Sequence, residues 1–175
     1  MLEIILVIAV VCSILIFVFV VFNNRFQLAI IKIDKAEEDI DIYLQKKKDL
    51  LDRTRPIIKK ELKKESFLDA LDNNYGEMNH FQRNDNLKTA YNELFKVIDE
   101  NEKLMKSDTL VSILEELNNN EENIIGSIKF YNDTVVLYNH LVVSFPSNII
   151  SLFKRYKKKE FYNNEKRELF EILNK

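Results

Sequence analysis

Residues 107–146 read SDTLVSILEELNNNEENIIGSIKFYNDTVVLYNHLVVSFP. Leu110, Leu114, Leu117, Ile124, Ile128, Tyr131, Val135, Tyr138, Val142 and Phe145 recur in steps of three and four. One helix face therefore runs the length of the stretch. Glu121 occupies the one missing position of that seam. A sustained seven-residue repeat implies near-antiparallel packing against neighbouring helices, at crossings of roughly 20°. Ser107 or Asp108 supplies the N-cap. Phe145-Pro146-Ser147-Asn148 interrupts the helix, and a short segment, 148–156, returns Ile149, Ile150, Leu152 and Phe153 to the bundle.

Upstream, residues from Leu28 to about Leu71 read as another long helix, with Ile33, Ala36, Ile40, Tyr43, Leu44, Leu51, Ile58 and Leu62 on its face. Glu37, Glu38, Lys46 and Lys47 lie between those positions. Pro56 predicts a kink, and Asp72-Asn73-Asn74-Tyr75-Gly76 an end, since Asn and Gly accept the left-handed conformation that closes a helix. A helix from about Asn84 to Met105 follows, with Leu87, Ala90, Tyr91, Leu94, Val97 and Ile98 on one face. The tail after Lys159 is mostly polar. Two Gly and two Pro in 175 residues, with 31% charged residues, favour long helices.

Residues 4–22, IILVIAVVCSILIFVFVVF, carry no charge. About 20 apolar residues in a helix span the hydrocarbon core of a bilayer, and in lipid only a helix satisfies every backbone group of a lone segment. No basic region precedes the run and no small-x-small cleavage site follows it, so an uncleaved anchor is expected rather than a signal peptide. The division is an anchor, 1–24, and a helical domain, 25–175. Arg25, Lys32 and Lys35 follow the span and no Lys or Arg precedes it, which places the domain in the cytoplasm. The expected fold is all-α: one N-terminal transmembrane helix followed by an antiparallel up-and-down bundle of about four helices.

The charges and motifs exclude more than they assign. A net charge of -2 offers no global field for nucleic acid. The single cysteine, Cys12, lies inside the apolar run, so it forms no intrachain disulfide and has no base beside it to make it a nucleophile. Glu77-Met78-Asn79-His80 has the Glu-x-x-His spacing of helical di-iron sites, but those need two such motifs and two more carboxylates. Phosphate loops and serine elbows are missing. No catalytic residue, cofactor, metal or small-molecule substrate is expected, and an enzyme is not.

Asn132 and Asn139 lie seven residues apart beside Tyr131 and Tyr138, and so share a helix face. They serve either as polar register residues within the bundle, the preferred reading, or as a recognition strip. In the first case Tyr131 and Tyr138 bury their rings and hydrogen-bond their hydroxyls, while the asparagines pair with Asp41, Gln45 or Lys48. Asp41, Lys48 and Asp49 make either a buried charge cluster opposite those asparagines or a solvated face with weak ion pairs. Arg155, Lys157, Lys158 and Lys159, interleaved with Phe153, Tyr156, Phe161 and Tyr162, read as a solvated helix end, with an anionic membrane surface as the alternative.

Two stretches resemble the LemA family of bacterial membrane proteins. Phe130-Tyr131-Asn132-Asp133-Thr134-Val135, Tyr138-Asn139 and Phe145-Pro146-Ser147-Asn148 resemble that family's paired Tyr-Asn motif followed by Phe-Pro-Ser-Asn. Ile40-Asp41-Ile42 through Leu44-Gln45-Lys46-Lys47-Lys48-Asp49-Leu50 resembles its Ile-Asp-Val, Gln-Leu and Arg-Arg-x-Asp-Leu helix. The family's glycine after Phe-Pro-Ser-Asn is absent near Arg155. The resemblance implies a bundle of about four helices behind one anchor. It implies little else; the bundle, the anchor and the lack of active-site chemistry together point to a non-enzymatic interaction or scaffold role at the membrane, with a membrane protein or a second copy as partner. The alternative is a metal-containing or enzyme-associated subunit, for example a partner of a membrane metalloprotease.

Overall fold

A computed structural model describes residues 1–62, 68, 71 and 75–162. Four α-helices make up almost all of it: α1 (Leu2–Leu62), α2 (His80–Asp99), α3 (Asp108–Val143) and α4 (Ser147–Lys154). Short 3-10 turns lie at Tyr75–Glu77 and Glu102–Lys106. No strand occurs among the described residues, so the all-α class stands. The chain divides into two compact units, residues 36–129 and residues 1–35 with 130–175. Helices α1 and α3 contribute to both.

Helix α1 is continuous from the apolar run into the charged stretch, with Pro56 inside it. Its inward face reads Phe26, Ala29, Ile33, Ala36, Ile40, Leu44, Lys47, Leu51, Thr54 and Ile58, all buried. Those steps of three and four form one unbroken seam. Lys47, one of the charges between the predicted face positions, fills a seam position and is 1% exposed.

Helix α2 starts at His80, earlier than expected, because Asn79 and Gln82 form a capping box. The Asn79 side chain accepts from the Gln82 N–H, and the Gln82 side chain accepts from the Asn79 N–H, both at 3.0 Å. It stops at Asp99 instead of reaching Met105. The Asn101 side chain donates to the Val97 carbonyl at 2.9 Å, taking up one of the orphan acceptors at the helix end. Leu104 in the following turn is buried. Gly76 lies in a 3-10 turn and does not have a positive φ; residues 72–74 of the expected terminator lie outside the described residues. Helix α3 begins as expected, with Ser107 Oγ accepting from the Leu110 N–H.

Within the unit 36–129 the pairings fix the chain direction. Tyr43 meets Asn120, Lys47 meets Glu121 and Arg53 meets Glu116. Helix α1 therefore runs antiparallel to α3. Helix α2 departs from simple up-and-down order. Arg83 pairs with Asp41, Lys47 lies over the Tyr91 ring, and Glu61 and Leu62 line a cavity with Asp99 to Leu104. It thus runs the same way as α1. Seventeen residues, 63–79, separate the two helices.

Candidate functional site

In the unit formed by residues 1–35 and 130–175, the chain after α4 returns as an extended strap, residues 156–162. The paired Tyr-Asn motifs of α3 hold it by its main chain. Asn139 Nδ2 donates to the Lys159 carbonyl at 2.9 Å, and the Lys159 N–H donates to Asn139 Oδ1 at 2.8 Å. One turn pair earlier on α3, the Tyr162 N–H donates to Asn132 Oδ1 at 3.0 Å, and the Tyr131 hydroxyl donates to the Glu160 carbonyl at 3.0 Å. Both asparagines are nearly fully buried, as are Tyr131 and Tyr138.

The spacing explains why the motif repeats at seven. Seven helical residues rise about 10.5 Å. Three extended residues, the separation of Lys159 and Tyr162, cover about 10 Å. Two amides on one helix face thus meet the strap at matching intervals, as a neighbouring strand would. The rings add packing. Tyr138 stands edge-on to Phe26 at 5.9 Å, Phe26 lies 4.9 Å from Tyr156, and Tyr131 stands edge-on to Tyr162 at 5.1 Å. Burial, and secondarily Tyr156, raises the Tyr138 phenol above its usual pKa.

The asparagines meet main-chain groups of the strap rather than the expected Asp41, Gln45 or Lys48. Asp41 pairs with Arg83 at 3.7 Å, Lys48 with Asp52 at 2.7 Å, and Asp49 accepts from Gln45 at 2.9 Å. Asp41 is 46% exposed and Lys48 19%. Neither alternative offered for Asp41, Lys48 and Asp49 describes them fully. They have separate pairing partners, yet all three lie around Tyr75: Lys48 sits over its ring, and Asp41 and Asp49 add to the burial that raises its phenol above the usual pKa. The buried charge of this helix is the adjacent Lys47, 2.5 Å from Glu121 and 4.7 Å from the Tyr91 centroid. Tyr91 in turn donates to Asn118, and Asn120 to the Tyr43 carbonyl.

Phe145-Pro146-Ser147-Asn148 forms the corner between α3 and α4. Ser147 is buried and donates to the Ser144 carbonyl at 2.8 Å; Asn148 N–H bonds the same carbonyl at 2.8 Å. Ser151 donates to the Val142 carbonyl at 3.0 Å, satisfying an orphan acceptor at the end of α3. Phe145 closes no seam: it is 81% exposed, as are Leu152 at 79% and Phe153 at 83%. The basic run is split. Lys159 is held in the strap and lies 3.7 Å from Asp34, while Arg155 and Lys157 are exposed. Glu77 ends the 3-10 turn before α2 and His80 begins α2, its ring tilted against Phe81 at 4.2 Å; no group of three or more His, Cys, Asp or Glu that could hold a metal occurs among the described residues.

Helix α4 ends in a Schellman closure, the Tyr156 N–H reaching the Ser151 carbonyl and the Arg155 N–H the Leu152 carbonyl. Arg155 occupies the left-handed position with φ 57°. A side chain there costs about 1–2 kcal/mol, part of which glycine loses again to unfolded-state entropy. Arg155→Gly is therefore expected to stabilise residues 23–175 by about 0.5–1 kcal/mol in urea unfolding; a loss of stability would show that the Arg155 side chain makes a contact worth more than the strain.

These features define an all-helical protein in which a long antiparallel helix pair grips its own C-terminal strap through repeated Tyr-Asn pairs. The chain belongs to the LemA family, whose family model matches residues 36–172. No curated protein matches it.

Proposed function

We propose that this LemA-family chain is a single-pass membrane protein whose helical body, on the cytoplasmic side, works by binding a membrane protein partner and not by catalysis. The observation that carries the reading is the change of character along α1. Residues 2–17 are all exposed although almost all are apolar, and from Phe26 onward the same helix packs a regular seam. A helix this apolar with no protein against it is long enough to cross a bilayer. Ser13, its lone hydroxyl, donates to the Ala9 carbonyl at 2.8 Å, the bond such a group needs away from water.

The test begins with carbonate extraction. The full chain should stay with the membrane pellet, and residues 23–175 should leave it as a soluble helical domain. Extraction of the full chain overturns the anchor. A reporter fused after Lys175 should be active only if it functions in the cytoplasm. Affinity purification from solubilised membranes should return a membrane protein; a dominant homo-oligomer with no other partner would replace the scaffold reading by a self-assembling one. Stoichiometric iron, manganese or zinc in the purified protein would overturn the non-enzymatic reading.

A further inference from the structure

Helix α4 is inside out. Its buried face is Ser147, Ile150 and Ser151, and its exposed face carries Ile149, Leu152 and Phe153, with Phe145 just before it. A surface helix in water shows the reverse pattern.

Its place in the unit is set by the strap. Tyr156 touches Phe26 and Gln27 on α1 and Tyr138 on α3. Lys159 reaches Asp34 and Asn139, and Glu160 and Tyr162 reach Tyr131 and Asn132. Along the strap the α1 numbers rise and the α3 numbers fall, so the two helices are antiparallel here. Helix α3 thus climbs toward the apolar run. Val143 lies five residues, about 7.5 Å, beyond Tyr138, which is level with Phe26. That brings the α3–α4 corner level with the last residues of the run, 21 and 22. At this height α4 turns 91° from α3. It therefore lies across the direction of α1, in the plane that a membrane surface would take.

The charges fit the same plane. Lys154, Arg155 and Lys157 are exposed at the end of α4, and the Arg25 guanidinium sits 5.3 Å over the Phe22 ring. Eight residues, about 12 Å of helix, cannot cross the bilayer. A second copy docked face to face by a twofold would set these cations against their own images.

We infer that α4 is an interfacial helix. Phe145, Ile149, Leu152 and Phe153 enter the acyl boundary of the bilayer, and Lys154, Arg155 and Lys157 bind the headgroups of anionic phospholipid. The inference rests on the anchor reading above, and the test separates the two. The chain has no tryptophan, so Ile14→Trp and Phe153→Trp each place a single reporter in the full-length protein. Each variant is reconstituted in phosphatidylcholine–phosphatidylglycerol vesicles brominated at shallow or deep acyl positions. Trp at 14 should be quenched best by deep bromines. Trp at 153 should lose about half its emission to shallow bromines, and the K154E/R155E/K157E variant should lose that quenching. Quenching at 14 without quenching at 153 overturns the inference and leaves the anchor intact. Emission at 153 that is blue-shifted but unquenched means a protein covers the face, and also overturns it. Quenching at 153 without quenching at 14 supports the interfacial helix and overturns the anchor; quenching at neither position overturns both.

Discussion

Glu121→Leu destabilises residues 23–175 by about 3 kcal/mol or more in urea unfolding, whereas Lys47→Met costs clearly less. The asymmetry follows from burial. The Lys47 side chain is 1% exposed and that of Glu121 28%. Removing the carboxylate leaves an ammonium ion inside the unit facing the Tyr91 ring without its carboxylate, and an uncompensated buried charge is among the most costly defects a core can carry. Removing the ammonium leaves a carboxylate that water already reaches. The double replacement, Lys47→Met with Glu121→Leu, should recover most of the loss, because a buried ion pair is often matched by apolar side chains of similar volume. A double variant no more stable than Glu121→Leu alone would show that the seam requires the polar pair for its register. A spectroscopic readout accompanies the stability. Burial first, and Glu121 second, raise the Tyr91 phenol above its usual pKa, so Glu121→Leu should bring its ultraviolet titration down. The neutral phenol's contribution is complete below about pH 10, the unfolded value, and is lost as pH rises through the higher folded value.

The pair also shows where the sequence is legible and where it is not. Hydrophobic periodicity announces α1 and α3, because Leu, Ile and Val at steps of three and four leave few alternatives. Glu121 stands out in the Leu110–Phe145 seam as a gap. Lys47 stands three beyond Leu44 and four before Leu51 on α1, a matching gap. Read together, two opposite charges in two antiparallel seams predict a buried pair; read helix by helix, Lys47 merges with Lys46 and Lys48 into a solvated run. Thr54 escapes for a similar reason. It is buried because its hydroxyl donates to the Leu51 carbonyl at 2.7 Å within its own helix, and such local satisfaction leaves no mark in a hydropathy pattern.

Boundaries depend on side-chain capping more than on periodicity. Asn79 and Gln82 have the capping spacing, but Met78 and His80 offer no apolar rhythm to direct attention there. The strap is the least legible part. Its residues 156–162 have neither a helical nor a strand period, and what orders them is a pair of asparagines on another element. Tyr131, Asn132, Tyr138 and Asn139 are conspicuous by spacing alone. The strap partners of Tyr131, Asn132 and Asn139 are main-chain groups, and a main-chain partner has no side-chain identity that a sequence could disclose.

That gives the Tyr-Asn pairs a sharp expectation. Tyr138→Ala should cost on the order of 3 kcal/mol or more, since it deletes a buried ring packed against Phe26 and Tyr156 and leaves a cavity. Asn139→Ala should cost about 1–3 kcal/mol, because the Lys159 N–H and carbonyl lose their partner together. Asn139→Asp keeps the acceptor for the Lys159 N–H but sets a carboxylate against the Lys159 carbonyl, so it should be no better than alanine. Amide exchange locates the damage. In Asn139→Ala the Lys159 amide should exchange faster, while Tyr162, held by Asn132, changes less; in Asn132→Ala the order reverses. A recognition strip for another protein would behave otherwise. Asn139→Ala would then leave melting and strap exchange unchanged and abolish partner capture. The double hydrogen bond to Lys159 argues against that outcome. Both polar atoms of the Asn139 amide are already engaged by the chain's own backbone, so any outside ligand would have to displace the strap before it could be recognised.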